Sequence, residues 1–492
     1  MTNKPQFFSN KLGFMLAAIA MAVGTGNIWR FPRMVAANGG GAFLIILIIG
    51  VIVFSVPLLM SEMAIGRHAR KGTIGAVSDF MGKKFAWIGA WVGFVCIAIM
   101  FYYSVVSGWT IKYVLLSVSG EFSPESDTTT IWNAFSTNPR QTILFHLIAM
   151  FTAFLILYQG VSKGIERFSR IMLPLLALLL TYAAIKALTL PGAGLGVSYL
   201  FQVDMDYLLN PKTWLEGFTQ AAWSTGAGWA LLMTYAIYTK PKDAIGGSMF
   251  TVVLADVAVA IIAGLAILPT IFAMAPSIDY AHEALQSGNV GLTFIYMSEL
   301  FTTMPGGYVM AIVFFLCLAF AAVSSLISMV EVGVANLVTA GWPRNKAVMI
   351  TCAAGFVCGI PSAYSLQFLD NQDYVWGVAL LLSGMFTAVA IMTYGVEKVR
   401  TEHLNQAGST KKTGKWYNVL IYINPFIIIT IFTWLVIQSV IADQGQWWNP
   451  FRVASTGTMV LQWLIVLLIL IWSNRWLVKY FNPSQPPSES QP

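Results

Sequence analysis

The stretch AVGTGNIWRFP, residues 22–32, lies inside an otherwise apolar run and decides how the rest of the chain is read. Residues 12–36 are long enough to cross a bilayer, which takes about 20 residues. Yet this run carries Gly24, Gly26 and Pro32, with Asn27 and Arg30 among them. Each glycine weakens a helix by about 1 kcal/mol relative to alanine. Two of them beside a threonine and an asparagine predict an unwound stretch. In lipid, freed backbone groups are tolerated only where they line a buried cavity. A second stretch of this kind, STGAGWA at 224–230, places Gly226 and Gly228 in the apolar run 212–239. A lone glycine pair more often marks close helix packing. Two pairs at matching positions, five spans apart, point to a binding site between repeats of opposite orientation.

Working outward, apolar runs recur at 42–66, 86–117, 141–158, 168–189, 243–273, 307–338, 346–363, 374–396, 416–441 and 456–478. With the two interrupted runs these predict an all-α membrane protein of twelve transmembrane helices: a five-plus-five inverted repeat with helices 1 and 6 broken, plus two extra helices. One transmembrane domain would span 1–480, with repeat one at 12–189, repeat two at 212–396 and the extra helices at 416–478. The polar, proline-rich tail 481–492 is expected to be disordered. Composition agrees. Of 492 residues, 57% are hydrophobic and only 10% charged, against about a quarter charged in soluble proteins. Mean hydropathy is +0.71. The net charge of +7 follows membrane topology. With the N-terminus inside, only Arg140, Lys186, Lys212 and Arg452 fall in outer segments, whereas most of the 28 basic residues fall in inner ones. That positive-inside bias places both termini in the cytoplasm of a cell with this chain in its inner membrane. It calls for a lipid bilayer as partner and for no nucleic acid. The four cysteines, Cys96, Cys317, Cys352 and Cys358, lie in apolar runs and read as buried small hydrophobes. The loop 120–140 reads as structured and external. The stretch VGLTFIYMSELF, within 275–306, reads as a helix that could act as an outer lid.

Ionisable residues inside a span are expensive and usually functional. Glu62, Asp256 and Glu331 lie inside spans, Arg30 follows the first glycine pair, and Asp373 opens the run at 374. Each could instead be a helix-pairing contact. Glu62 could hold the N–H groups freed where the first span unwinds. Hard monovalent cations want oxygen ligands. Unwound carbonyls together with Asn27, Ser224, Asp256 and the pair Ser324–Ser325 supply such a cage, and no soft-metal constellation competes.

The runs GNIWRFPRMVAANGGGAF (26–43), QAAWSTGAGWALLMTYAIY (220–238), GNVGLTFIYMSELFTTMPGG (288–307) and AAVSSLISMVE (321–331) resemble the neurotransmitter:sodium symporter family over nearly the whole chain. The resemblance implies sodium-coupled symport of a neutral amino acid by alternating access, with no enzymatic chemistry. It implies two sodium ions: one held by Ala22, Asn27, Ser224, Asp256 and the substrate carboxylate, the other by the carbonyls of Ala20, Val23 and Ala321 with Ser324 and Ser325. Tyr103 and the Gly26 N–H would hold the substrate carboxylate. Ala22, Thr25, Ile99, Ser224, Thr225, Gly226, Trp229, Ser325 and Met329 would shape the pocket, and Trp223 would lie over it. Arg30 and Asp373 would close an outer gate, and Glu62 would be structural support.

Several positions depart from the family pattern. Chloride-dependent members carry a tyrosine and a serine where this chain has Leu47 and Ala260, and position 256 is usually asparagine. The Asp256 carboxylate would therefore supply the negative charge that chloride gives elsewhere, and no chloride is expected; whether Asp256 also takes up a proton when sodium leaves is left open by the sequence. Position 24, an aspartate in monoamine carriers, is Gly24, which argues for a substrate that brings its own carboxylate. The inner-gate positions read Pro5, Phe8 and Thr339, with Lys4 the nearest cation. The alternative reading is a channel or amino-acid sensor that kept the fold without coupled transport.

Overall fold

The computed structural model describes residues 6–240, 248–405, 412–442 and 445–482. Lys4 and Pro5, the beginning of the run at 243, and the tail beyond Asn482 lie outside them. Among the described residues the regular structure is helical, apart from one isolated bridge between Gly40 and Val203. Among the described residues nine helices are long and apolar enough to cross a membrane: Gly41–Ala69, Lys83–Ser119, Pro139–Tyr158, Val161–Leu188, Ser248–Met274, Gly307–Thr339, Arg344–Tyr364, Leu366–Tyr394 and Trp416–Ala442. Two bent pairs add to them. Lys11–Ala22 meets Gly26–Ala37 at 45°, and Thr456–Trp472 meets Asn474–Phe481 at 62°. The run at 212–239 is divided more widely, into Pro211–Thr225 and Leu231–Ile237.

The helices at the centre are those that carry the expected site. The most apolar window of Gly307–Thr339 is 83% buried, and that of Trp416–Ala442 only 22%. The Trp416–Ala442 helix thus belongs to the rim, as does Val161–Leu188 at 28%. Local signals explain the ends. The Asn10 side chain accepts the Gly13 N–H at 2.8 Å, and Asn138 accepts the N–H groups of Arg140 and Gln141 ahead of a helix that begins with Pro139. Asparagine is a strong N-cap, and proline suits the first turn, where its missing N–H has no partner to lose.

The external loop is ordered by a helix, Thr128–Ser136, whose Trp132 stacks on Phe294 at 5.1 Å. Phe294 belongs to the expected lid, where a turn at Gly291–Tyr296 runs into the helix Met297–Thr303. Cys96, Cys317 and Cys352 are buried, but Cys358 is exposed, on a helix whose apolar window is only 44% buried. In a membrane protein an apolar run faces lipid as readily as core, so sequence context alone could not place it. Two residues of the expected tail, Phe481 and Asn482, are ordered. Phe481 ends the last helix, and the Asn482 amide donates to Ser78 Oγ and Asp79 Oδ1 at 3.0 Å.

Candidate functional site

Both interruptions are real and lie at one cavity of about 530 Å3. In the first, Val23 turns extended (φ −70°, ψ 94°) and the chain resumes as a π-helical turn, Gly26–Arg30. The final carbonyls of Lys11–Ala22 thereby lose their intrahelical partners. In the second, Gly226, Gly228 and the non-glycine Ala230 all have positive φ, of 71°, 89° and 60°. A Cβ on Gly228 would sit 2.9 Å from the Cα of Gly384, so that position combines a left-handed backbone with close approach.

Glu62 stabilises the second break, not the first as expected. Its Oε1 accepts the N–H groups of Gly228 (2.7 Å) and Ala230 (3.3 Å), and its Oε2 that of Met233 (3.3 Å). The carboxylate thus faces the N-terminal end of Leu231–Ile237, where backbone donors and the helix dipole favour negative charge. The approach is possible because Gly66, one turn beyond Glu62, lies against the Met233 carbonyl; a Cβ there would be 1.9 Å from that oxygen.

Three of the expected cation ligands converge. Asp256 is 1% exposed. Its Oδ2 accepts the Ser224 hydroxyl at 2.6 Å and its Oδ1 the Asn27 amide at 2.7 Å. The Asn27 amide also reaches Ser224 Oγ and the Asp256 carbonyl, both at 3.1 Å, while its Oδ1 accepts the Gly24 N–H at 3.0 Å. Among the described residues no lysine, arginine or histidine pairs with Asp256. An uncompensated buried carboxylate costs several kcal/mol, so this one calls for a cation or a proton. Asn27 and Ser224 also line the cavity, which puts the carboxylate just behind its wall.

The second oxygen set lies across the first break. Ser324 Oγ is 3.5 Å from the Val23 carbonyl and donates to the Ala321 carbonyl at 2.9 Å; Ser325 Oγ is 3.5 Å from the Met21 carbonyl. Ala20 and Ala22 belong to the same final turn. A helix C-terminus, with its partial negative charge, therefore faces two hydroxyls, an arrangement suited to a hard cation.

Ala22, Thr25, Gly26, Tyr103, Trp223, Ser224, Gly226, Trp229, Ser325 and Met329 line the cavity as expected. Ile99 and Thr225 are fully buried and do not. Ile99 lies one turn from Tyr103, and Thr225 turns its hydroxyl back to the Ala221 carbonyl at 2.7 Å. The Tyr103 hydroxyl accepts from Thr25 Oγ1 at 3.1 Å. A Cβ at Gly26 would meet nothing within 4 Å, so the backbone there borders open space; one at Gly24 would sit 2.7 Å from Ser325 Oγ. The positions Leu47 and Ala260 are buried and apolar.

Arg30 and Asp373 both line the cavity but form no ion pair. Arg30 instead donates to Gln220 Oε1 at 2.8 Å, lies 4.0 Å from Glu216, and sits 5.8 Å over the Trp223 ring. Sequence reasoning missed Gln220 and Glu216, although they precede Ser224 by one and two helical turns and so share its face. It also missed Arg344. This residue grips the buried Glu331 through two bonds of 2.7 and 2.8 Å, and Tyr238 donates to the same carboxylate at 2.5 Å. The Phe8 N–H donates to the Tyr238 carbonyl at 3.0 Å, and its ring packs edge-on against Phe14 and Tyr235. Thr339 Oγ1 accepts the Gly72 N–H at 2.7 Å. Around Phe8 the chain is thus tightly packed and hydrogen-bonded, whereas Arg30 and Asp373 at the cavity are not joined to each other.

Two interrupted helices around an oxygen-lined cavity define a helical, multi-pass membrane protein with a buried binding site. Comparison with known proteins says which kind. The model of the sodium:neurotransmitter symporter family matches residues 5–142 and 137–480, and the chain belongs to that family. It is 30% identical to YhdH of Bacillus subtilis, an uncharacterised sodium-dependent transporter, over 88% of this chain and 98% of that one. It is 23% identical to the sodium- and chloride-dependent glycine transporter 2 of Xenopus laevis, over 94% of this chain and 68% of that one. Among solved structures it resembles MhsT in complex with L-phenylalanine, with a TM-score of 0.77 and 30% identity, covering 87% of this chain and 99% of that one. The chain is a sodium-dependent transporter and not an enzyme.

Proposed function

We propose that this chain carries a neutral amino acid together with two sodium ions, without chloride, by alternating access. One observation carries the reading: a buried carboxylate, Asp256, bonded through both oxygens to Asn27 and Ser224 at the cavity wall, with no basic partner among the described residues. Sodium satisfies that carboxylate, and a substrate carboxylate at the same wall completes the ion's shell. Substrate and ion then bind with positive coupling, because each stabilises the other's site. The second ion takes the Ser324–Ser325 set, bridging the first broken helix to the Gly307–Thr339 helix, and its release frees the two to part.

The substrate class rests on Gly24 and on size. A side chain at position 24 would press on the Ser325 hydroxyl, and Gly24 itself offers no carboxylate, so the substrate supplies one. Tyr103, Thr25 and the backbone of Gly26, which line the cavity together, would hold it. Trp223 and Trp229, 5.4 Å apart and edge-on, bound the side-chain end of the pocket with Met329. The solved relative bound to L-phenylalanine supports a neutral amino acid. Counting Pro211–Thr225 and Leu231–Ile237 as one interrupted span gives twelve spans in two inverted repeats with two added helices, in the inner membrane, both termini cytoplasmic. Rocking of this bundle would bring Arg30 to Asp373 and open the Glu331–Arg344 network.

The test is uptake into proteoliposomes, screening the twenty amino acids with sodium or choline outside. The expected result is concentrative uptake of a neutral amino acid that needs sodium and persists when gluconate replaces chloride. Strict chloride dependence would overturn the role given to Asp256. Sodium and substrate should also raise the melting temperature together by more than the sum of their separate effects. A channel or sensor would show no concentrative uptake.

A further inference from the structure

The chain bends by 62° between Thr456–Trp472 and Asn474–Phe481, whose residues do not line the cavity described above. Leu477 and Phe481, one turn apart, anchor the short final helix in a small core with Ile74, Ala86 and Ala90. Arg475, Trp476, Lys479 and Tyr480 are left exposed. Asn474 fixes the bend. Its Oδ1 accepts the Trp87 N–H at 2.9 Å, and its amide donates to the Lys83 carbonyl at 3.1 Å. This clamp brings the turn Lys83–Phe85 beside the bend and encloses a recess of about 560 Å3, lined by Lys84, Trp87, Ile471, Trp472, Asn474 and Arg475.

The charge there is one-sided. Among the described residues, Lys83, Lys84 and Arg475 have no acidic partner, and the nearby Asp79 is taken by Lys71 at 2.9 Å. Trp472 is 88% exposed at the point where an apolar helix ends and a basic amphipathic one begins. Exposed tryptophan at such a junction marks the membrane–water interface, and clustered lysine and arginine beside it suit anionic headgroups. A side-on basic helix with aromatic residues on its flank lies in the interface plane.

We propose that this recess binds the phosphate of an anionic phospholipid headgroup, with Lys84 and Arg475 as its charge partners and Trp472 at the boundary with the acyl chains. The occupied site ties the end of the last spanning helix to the turn that opens Lys83–Ser119, the helix carrying Tyr103. The leaflet depends on the orientation proposed above; the chemistry does not.

The experiment is native mass spectrometry of the purified full chain in neutral detergent with phosphatidylglycerol, phosphatidylcholine or inorganic phosphate. The comparison is between the unmodified protein, Lys84→Gln/Arg475→Gln, and a control at another exposed lysine, Lys346→Gln. Each basic residue near an anionic headgroup contributes roughly a fivefold factor. The double variant should therefore retain phosphatidylglycerol about 30-fold less well, with the control unchanged. Equal retention of phosphatidylcholine, or undiminished phosphatidylglycerol in the double variant, would overturn the proposal. Displacement of the lipid by millimolar inorganic phosphate would make this a free-phosphate site and overturn the lipid assignment. If the double variant does not fold, Arg475→Gln alone should show a fivefold loss, and no loss would count against the site.

Discussion

Replacing Glu62 by alanine removes the acceptor for three buried N–H groups, those of Gly228, Ala230 and Met233. A buried donor left without a partner costs about 1–3 kcal/mol, so the loss should total about 3–9 kcal/mol. Glu62→Gln is a sharper probe. Its remaining oxygen can still serve Gly228 and Ala230, while its amide faces the Met233 N–H, donor against donor, for about 1–3 kcal/mol. An unfolding entropy of ~2.1 cal/mol/K per residue over a chain of this length makes each kcal/mol about 1 °C in melting temperature. The variants should therefore melt about 3–9 °C and about 1–3 °C below the unmodified protein. Thermal unfolding in detergent, with and without sodium, measures both. The alanine variant should also lose most of its sodium-dependent stabilisation, because the break positioned by Glu62 follows directly on Ser224. A glutamine variant as damaged as the alanine one, or an alanine variant within about 1 °C of the original, would refute this role.

Other outcomes follow from the same geometry. Gly228→Ala places a Cβ 2.9 Å from Gly384 in a left-handed conformation and should destabilise by about 2–4 kcal/mol, read as a lower melting temperature. Gly24→Ala pushes on Ser325 Oγ and should raise the sodium concentration for half-maximal uptake roughly tenfold, about 1.4 kcal/mol; an unchanged sodium dependence would remove Ser325 from the ion's shell. Arg344→Ala leaves Glu331 charged and unpaired in the core, a loss of about 3–5 kcal/mol. The double change Glu331→Gln/Arg344→Met should recover most of that stability in the melting assay.

The breaks were legible in the sequence because glycine pairs in lipid leave few alternatives. Asn27, Ser224, Asp256 and the two serines could be gathered by their oxygen chemistry and by the family pattern. The partner of Glu62 could not. Its sequence proximity to the first break says nothing about which break its helix faces, and the close approach that decides it runs through Gly66 and Met233. Thr225 and Ile99 lie buried behind the lining residues Ser224 and Tyr103, one residue and one turn away, a difference that helix periodicity alone does not resolve. Arg344 was read only as a cytoplasmic charge, since its pairing with Glu331 depends on how the chain reverses between 339 and 344. Lys4, the nearest cation to the expected inner gate, lies outside the described residues, while Phe8, Tyr238, Glu331 and Arg344 form one hydrogen-bonded cluster.

The most direct measurement is the number of radioactive sodium ions bound at saturation by the purified chain with its amino acid. The account predicts two per chain, one after Asp256→Ala, and one after Ser324→Ala/Ser325→Ala. Unchanged sodium binding in both variants would contradict it.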